Sequence, residues 1–365
     1  MITRIRLHWV ALVAMCVAVA WAVIRVGPRI PFPDSWFGQE KWPYPNLEAV
    51  QAYKRSSPIG YLLAETLHLD QSTWLVLFYF VASIVAMLLI ATWVWLELAG
   101  SSQRSRGFRL AVLAPLPGLL FMTIGGYDPF TAIGMGLALF AWRRNSKLLM
   151  AAAGVYLGIQ HFEQAVVAIL VWTLAVMALR GDGAAPVRSR ISPLWAYPGV
   201  LAGKIALLAV LSLNGVDASE GRLFWLQSSE WLRRAVSGAV GFAPVFVLSL
   251  FAGLWVIVVL GFVLTPERRS RLLLGASLAI AVAFSVITLD HTRVFVMVSI
   301  PLISILIVSV LSNERATSQP QLLLVAEAMA WIVVPMTLQG TDNVYVDPMN
   351  FLDQGIMFLQ QLVPI

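Results

Sequence analysis

The chain has 365 residues, of which 59% are hydrophobic and only 12% charged, with a mean hydropathy of +0.80. A soluble domain carries roughly a quarter charged residues, so this composition excludes an ordinary soluble enzyme and indicates an all-α polytopic membrane protein. The formal net charge of +6 lies in short loops, where insertion topology and anionic lipid account for it, and no nucleic-acid partner is expected.

Apolar stretches predict about eleven membrane spans, near 7–25, 74–98, 108–125, 129–143, 146–161, 164–180, 194–213, 237–263, 272–289, 294–312 and 322–339. The first is preceded by a basic flank, Met1-Ile2-Thr3-Arg4-Ile5-Arg6. A signal peptide has the same outline, and Ala18-Val19-Ala20 resembles a cleavage site. The run is nevertheless long enough to span and is read as an uncleaved helix with its N-terminus inside. Cys16, the only cysteine, lies within it, so no intrachain disulfide forms.

A long outer loop, 26–73, follows. Its Pro- and aromatic-rich part, Pro28 to Pro45, holds Asp34 and Glu40 and reads as extended or turned chain. Amphipathic segments from Asn46 to Tyr53 and from Pro58 to Leu67 read as interfacial helices. A second outer loop, 214–236, has the same amphipathic character, and a tail from 340 to 365 completes one membrane domain, 1–365.

The loops between spans alternate in charge. Arg104 and Arg106, Arg143, Arg144 and Lys147, Arg180 to Arg190, and Arg268 to Arg271 fall in every second loop, which the positive-inside rule assigns to the cytoplasm. The opposite loops then share the outer side. They carry Asp34, Tyr127-Asp128-Pro129, His161-Phe162-Glu163-Gln164 and Asp290-His291-Thr292-Arg293. Ionisable groups at membrane depth are expensive, so such a cluster is a functional-site expectation.

Asp34, in a loop stiffened by prolines, is a carboxylate suited to accepting a proton, or else a solvated turn residue; Glu40 and Glu48 compete for the same role. Asp128 is either the N-cap of the fourth span, with Pro129 at the first helical position, or part of an anion-facing helix start. His161 and Glu163 occupy a tight turn from which the histidine can meet a phosphate while Glu163 orients it. Arg293 begins a span, where a cation opposes the helix dipole and needs an anionic partner, Asp290 or a ligand. Lys204, deep in the seventh span, needs a carboxylate or phosphate, and Glu327 in the eleventh span is the available carboxylate. Asp128, His161, Glu163 and His291 make a conceivable metal constellation. Nothing in their spacing demands one, so no cofactor is assigned and a divalent cation stays open. Phosphate-binding glycine loops, dinucleotide fingerprints, nucleophile elbows and His-Glu-x-x-His are all absent from the sequence.

The topology, the early acid Asp34 in a long first outer loop, the amphipathic juxtamembrane segments and the Gly126-Tyr127-Asp128-Pro129 turn together resemble the GT-C superfamily of integral membrane glycosyltransferases. That resemblance implies a polyprenyl-phosphate sugar donor, a lipid or glycan acceptor, and a site on the outer face of a bacterial cell membrane. It implies Asp34 as the base with Asp128 beside it. Lys204, His291, Arg293 and His161 would hold the donor phosphate, supported by Glu163, Asp290, Tyr127 and Glu40. Family members often carry paired acids in the first loop, whereas Asp34 stands alone with Glu40 the nearest acid. The alternatives are a transporter or flippase of a lipid-linked or anionic solute, and then a membrane acyltransferase or polysaccharide polymerase using His161 or His291 as base.

Overall fold

A computed structural model describes residues 2–28, 55–69, 72–180, 189–216, 229–288 and 290–335. Among these residues there are helices and turns and no strand. The longer helices are α1 (Ile2–Ile24), α2 (Ile59–Thr66), α3 (Ser72–Glu97), α4 (Arg104–Val112), α5 (Pro115–Met122), α6 (Asp128–Arg143) and α7 (Lys147–Arg180). They continue with α8 (Tyr197–Leu213), α9 (Ser229–Gly241), α10 (Ala243–Phe251), α11 (Trp255–Leu264), α12 (Arg268–Val286), α13 (His291–Ser312) and, after the short α14 (Glu314–Thr317), α15 (Pro320–Ile332). Six helical stretches are long and apolar enough to cross a membrane: Thr73–Glu97, Lys147–Arg180, Pro193–Leu213, Ala243–Leu264, Arg268–Val286 and His291–Ser312. The last is the axis of the bundle, with 94% of its apolar window buried.

One of the six folds back on itself. A straight helix as long as α7, 34 residues, would measure about 50 Å, yet its two ends share partners. Arg180 donates to Ser189 O at 2.6 Å, and Ser189 Oγ meets Asn145 Oδ1 at 3.2 Å. The reversal falls at His161, which is extended (φ −162°, ψ 80°) and divides α7 into arms 147–160 and 162–180. The tight turn expected there is present.

Two expected spans are instead broken. The run 108–125 divides between α4 and α5 because Pro115 lacks an N–H and forces Ala114 into extended geometry (ψ 169°). The run 237–263 divides twice, at Phe242 and again after Phe251, where Ala252 takes a positive φ of 46°. Breaks inside a bilayer are tolerated where the freed backbone groups find protein partners. Arg25, fully buried, supplies one set: its Nη2 donates to Leu113 O and its Nη1 to Ala330 O, each at 2.7 Å. A guanidinium facing the carbonyl ends of α4 and α15 is also the favourable sign of charge there.

The charged ends of the helices collect on one side. Arg143 pairs with Glu97 at 2.7 Å, and Arg106 and Arg109 both grip Glu327. Trp93, Trp142 and Trp172 are fully buried nearby, with Trp93 and Trp142 stacked at 6.3 Å and Trp142 edge-on to Trp172 at 5.1 Å. This is the basic end of the bundle.

Candidate functional site

At the other end of α6 and α13, beside the reversal of α7, the polar residues singled out from the sequence form a connected row. Gly125, at φ 99°, makes the turn that leads from α5 into Tyr127 and Asp128, a backbone conformation that suits glycine. Asp128 is the first residue of α6, but its side chain does not cap that helix. Its Oδ2 instead accepts from Arg293 Nε at 2.6 Å, so the capping expectation is corrected in favour of an ion pair. Arg293 also donates to Asp290 Oδ2 at 3.1 Å, and its guanidinium lies 4.5 Å from the centre of the Tyr127 ring. A cation in the first turn of α13 thus has the anionic partners that its position requires.

From Tyr127 the row continues across the α7 reversal. The Tyr127 and His161 rings are 5.6 Å apart, His161 Nδ1 is 3.6 Å from Glu163 Oε2, and Lys204 Nζ is 3.6 Å from Glu163 Oε1. The expected pairing of Lys204 with Glu327 is therefore wrong. Glu327 lies toward the basic end of α15, where Arg106 and Arg109 hold it, while Lys204 is level with the α7 turn.

Glycines set that level. Gly154 and Gly158 on α7 face Gly199 and Gly203 on α8, and a Cβ at any of the four would collide with the backbone of the opposing helix. Two small-xxx-small faces let the backbones touch. Gly203 against Val155 and Ile159 then delivers Lys204, the next residue, to Glu163. Lys204 lies mid-helix as expected; the turn itself is what lies deep. From Ile205 to Leu213, α8 runs on for about 13 Å, whereas α6 measures about 24 Å from Asp128 to its basic end. The row thus lies within the helical bundle, below the end of α8, rather than at its tip.

Gln160, unremarked in the sequence, ties this site to the second amphipathic segment of the first loop, around Pro58. Its Nε2 donates to Tyr127 O at 3.1 Å, its Oε1 accepts from Ile59 N at 3.1 Å, and its carbonyl accepts from Ser57 Oγ at 2.6 Å. A glutamine inside an otherwise apolar arm, one residue before His161, was the available signal. Arg25 was likewise missed, hidden as the flank of the first span.

His291 departs from the row. Its Nδ1 faces Ser285 O at 2.9 Å and its ring packs edge-on to Phe246 at 5.6 Å, inside the α10–α12–α13 packing. A carbonyl only accepts, so Nδ1 carries the proton. The buried Nε2 has no hydrogen-bond partner among the described residues. Asp34 and Glu40 lie outside the described residues, as does the tail from 340 to 365. Among the described residues no group of three or more His, Cys, Asp or Glu side chains could hold a metal ion. Asp128 is taken by Arg293 and His291 turns toward Phe246, which separates the constellation that the sequence suggested.

Counted along the row, three carboxylates (Asp128, Asp290, Glu163) face two fixed cations (Arg293, Lys204). Each cation already has a carboxylate. An anion entering here would share Arg293, whose Nε and Nη1 are engaged, and Lys204 with these carboxylates and weaken their hold.

Helical architecture and apolar helices long enough to span a bilayer define an integral membrane protein of the all-α class, with a charged row inside its bundle. Comparison with known protein families, with curated proteins and with solved structures gave no match.

Proposed function

We propose that this protein is a membrane glycosyltransferase of GT-C type that moves a sugar from a polyprenyl-phosphate donor to a lipid or glycan acceptor. In this reading the chain crosses the membrane about eleven times, counting the two arms of α7 separately. Its N-terminus is cytoplasmic and its C-terminus external, and the charged row opens to the outer face of a bacterial cell membrane. The observation that carries the reading is the row itself, where Arg293 and Lys204 lie beside Asp128, Asp290 and Glu163.

Glycosyl transfer from a lipid phosphate develops positive charge on the sugar and negative charge on the departing phosphate. Fixed cations at that phosphate and a carboxylate facing the attacking hydroxyl lower the barrier. Arg293 and Lys204 supply the cations. As Arg293 turns to the phosphate it loosens its hold on Asp128, which becomes available as a base, alone or with Asp34. A carboxylate that acts only as a base gives inversion at the sugar carbon, by analogy with inverting hydrolases.

The test is donor cleavage by purified protein in nanodiscs, with a panel of polyprenyl-monophosphate sugars. Release of polyprenyl phosphate that is lost in Asp34→Asn supports both enzyme and base. Release that survives Asp34→Asn but fails in Asp128→Asn moves the base to Asp128.

A transporter or flippase of an anionic lipid or solute is the second reading. It is favoured by the broken helices α4–α5 and α10–α11, an arrangement that binding sites of transporters often use. Tight lipid binding with no cleavage of any donor would bring it to first place.

A further inference from the structure

The surface of α9 (Ser229–Gly241) divides lengthwise into three strips. Ala235 and Ala239 are buried and Trp231 is half-buried, so this strip packs inward, toward α10 and α12. Leu232, Val236 and Val240 recur every fourth residue and are exposed although apolar, Val240 at 69%. Glu230, Arg233, Arg234 and Ser237 form the third strip, also exposed.

A helix packed on protein and facing water needs only two of these strips. The third, apolar and exposed, calls for an apolar covering. The chain sets where that covering lies. Phe242 alone separates α9 from α10, whose first residue, Ala243, opens the candidate span Ala243–Leu264. The last turn of α9 is therefore at the depth where a span begins.

Charge identifies the rest of the partner. Arg234 pairs with Glu230 at 2.5 Å and lies 5.4 Å from the centre of the Trp231 ring. Glu230 is thereby spent, and Arg233 remains as the helix's uncompensated cation, with no hydrogen bond or ion pair among the described residues. Residues three apart on a helix are surface neighbours, so Arg233 borders Val236 on the apolar strip. An apolar strip edged by a free guanidinium fits acyl chain below and phosphate above, since the guanidinium forks onto phosphate oxygens.

We propose that α9 is a bilayer-surface helix that docks an anionic phospholipid, with Leu232, Val236 and Val240 in the acyl boundary and Arg233 on the headgroup phosphate.

Two measurements on the full chain in phosphatidylcholine nanodiscs test it. In a Cys16→Ser background, a fluorophore is placed on Val236→Cys or on Ser237→Cys, and lipids brominated in their acyl chains are introduced. Strong quenching at position 236 with little at 237 is expected; equal or reversed quenching overturns the docking. Phosphatidylglycerol is then titrated in and its retention is counted by native mass spectrometry. Arg233→Gln is expected to weaken retention about fivefold, the contribution of one basic side chain near an anionic surface, and Arg233→Lys to recover part of it. Because Arg233 is exposed, both variants should unfold at the wild-type temperature. Unchanged retention in Arg233→Gln overturns the headgroup assignment.

Discussion

Arg293 and Asp128 are 165 residues apart in sequence and 2.6 Å apart in space, joined Nε to Oδ2. The pair fastens the start of α13, the buried axis, to the start of α6. It also balances two charges in an interior where neither could stand alone. The Asp128 side chain is completely buried, whereas Arg293 has a second carboxylate in Asp290. Arg293→Gln should therefore destabilise by about 3–5 kcal/mol, the cost of breaking a buried pair, and Asp128→Asn by less, because Asp290 still holds the guanidinium. Thermal unfolding in detergent checks the order. Equal midpoints for wild type and Arg293→Gln would show that the pair does not form.

Lys204 has two carboxylates proposed for it by sequence and structure, and coupling energies separate them. A double-mutant cycle of Lys204→Met with Glu163→Gln should deviate from additivity by about 0.5 kcal/mol or more, as contacting charges do. The cycle with Glu327→Gln should be additive within about 0.3–0.5 kcal/mol. Coupling to Glu327 and not to Glu163 would contradict the level at which α8 is docked.

That docking rests on four glycines. Gly203→Ala places a methyl group against the Val155 carbonyl, and Gly158→Ala places one against that of Val200. Each should cost about 1–3 kcal/mol, as overpacking does, and should weaken the Lys204–Glu163 coupling as α8 shifts outward. Gly241→Ala, where a Cβ meets nothing within 4 Å, serves as the control and should leave stability unchanged. Equal tolerance at all three positions would contradict the close backbone approach.

Arg25 reaches the carbonyls of Leu113, Ala330 and Val333 with one planar group. A lysine ammonium keeps the charge but cannot span both helix ends in that geometry. Arg25→Lys should lose about 1–3 kcal/mol, the cost of leaving a buried acceptor unmet. Protease accessibility near the α4–α5 break should rise with it. Wild-type stability in Arg25→Lys would reduce the role to charge alone.

How far these features could be read from the chain differs by type. The all-helical, apolar character of the chain and the reversal at His161 were legible because hydrophobic length and loop polarity are local signals. Asp290-His291-Thr292-Arg293 stood out for the same reason, as four polar residues between two apolar runs. Ala114-Pro115 was legible in principle, since proline forbids the hydrogen bond a continuous helix requires. The break at Ala252 was not, because alanine gives no hint of a positive φ that tertiary packing imposes. Partner choice was hidden altogether. Glu327 stood out as an acid inside an apolar span, yet depth and register decide which cation it meets, and those depend on how the helices pack. Gln160 escaped notice because an uncharged polar residue is a faint signal beside the His161 and Glu163 that follow it.

The most direct test of the account compares donor binding and donor turnover in wild type and Asp128→Asn, in nanodiscs with a polyprenyl-monophosphate sugar that the wild type cleaves. Binding should persist, since Arg293 keeps its charge and loses only one of its two carboxylates, while turnover falls by about 10²-fold or more with the loss of a proton acceptor. Turnover at the wild-type rate in Asp128→Asn, with Arg293 and Lys204 intact, would contradict the assignment of the charged row as the reacting site.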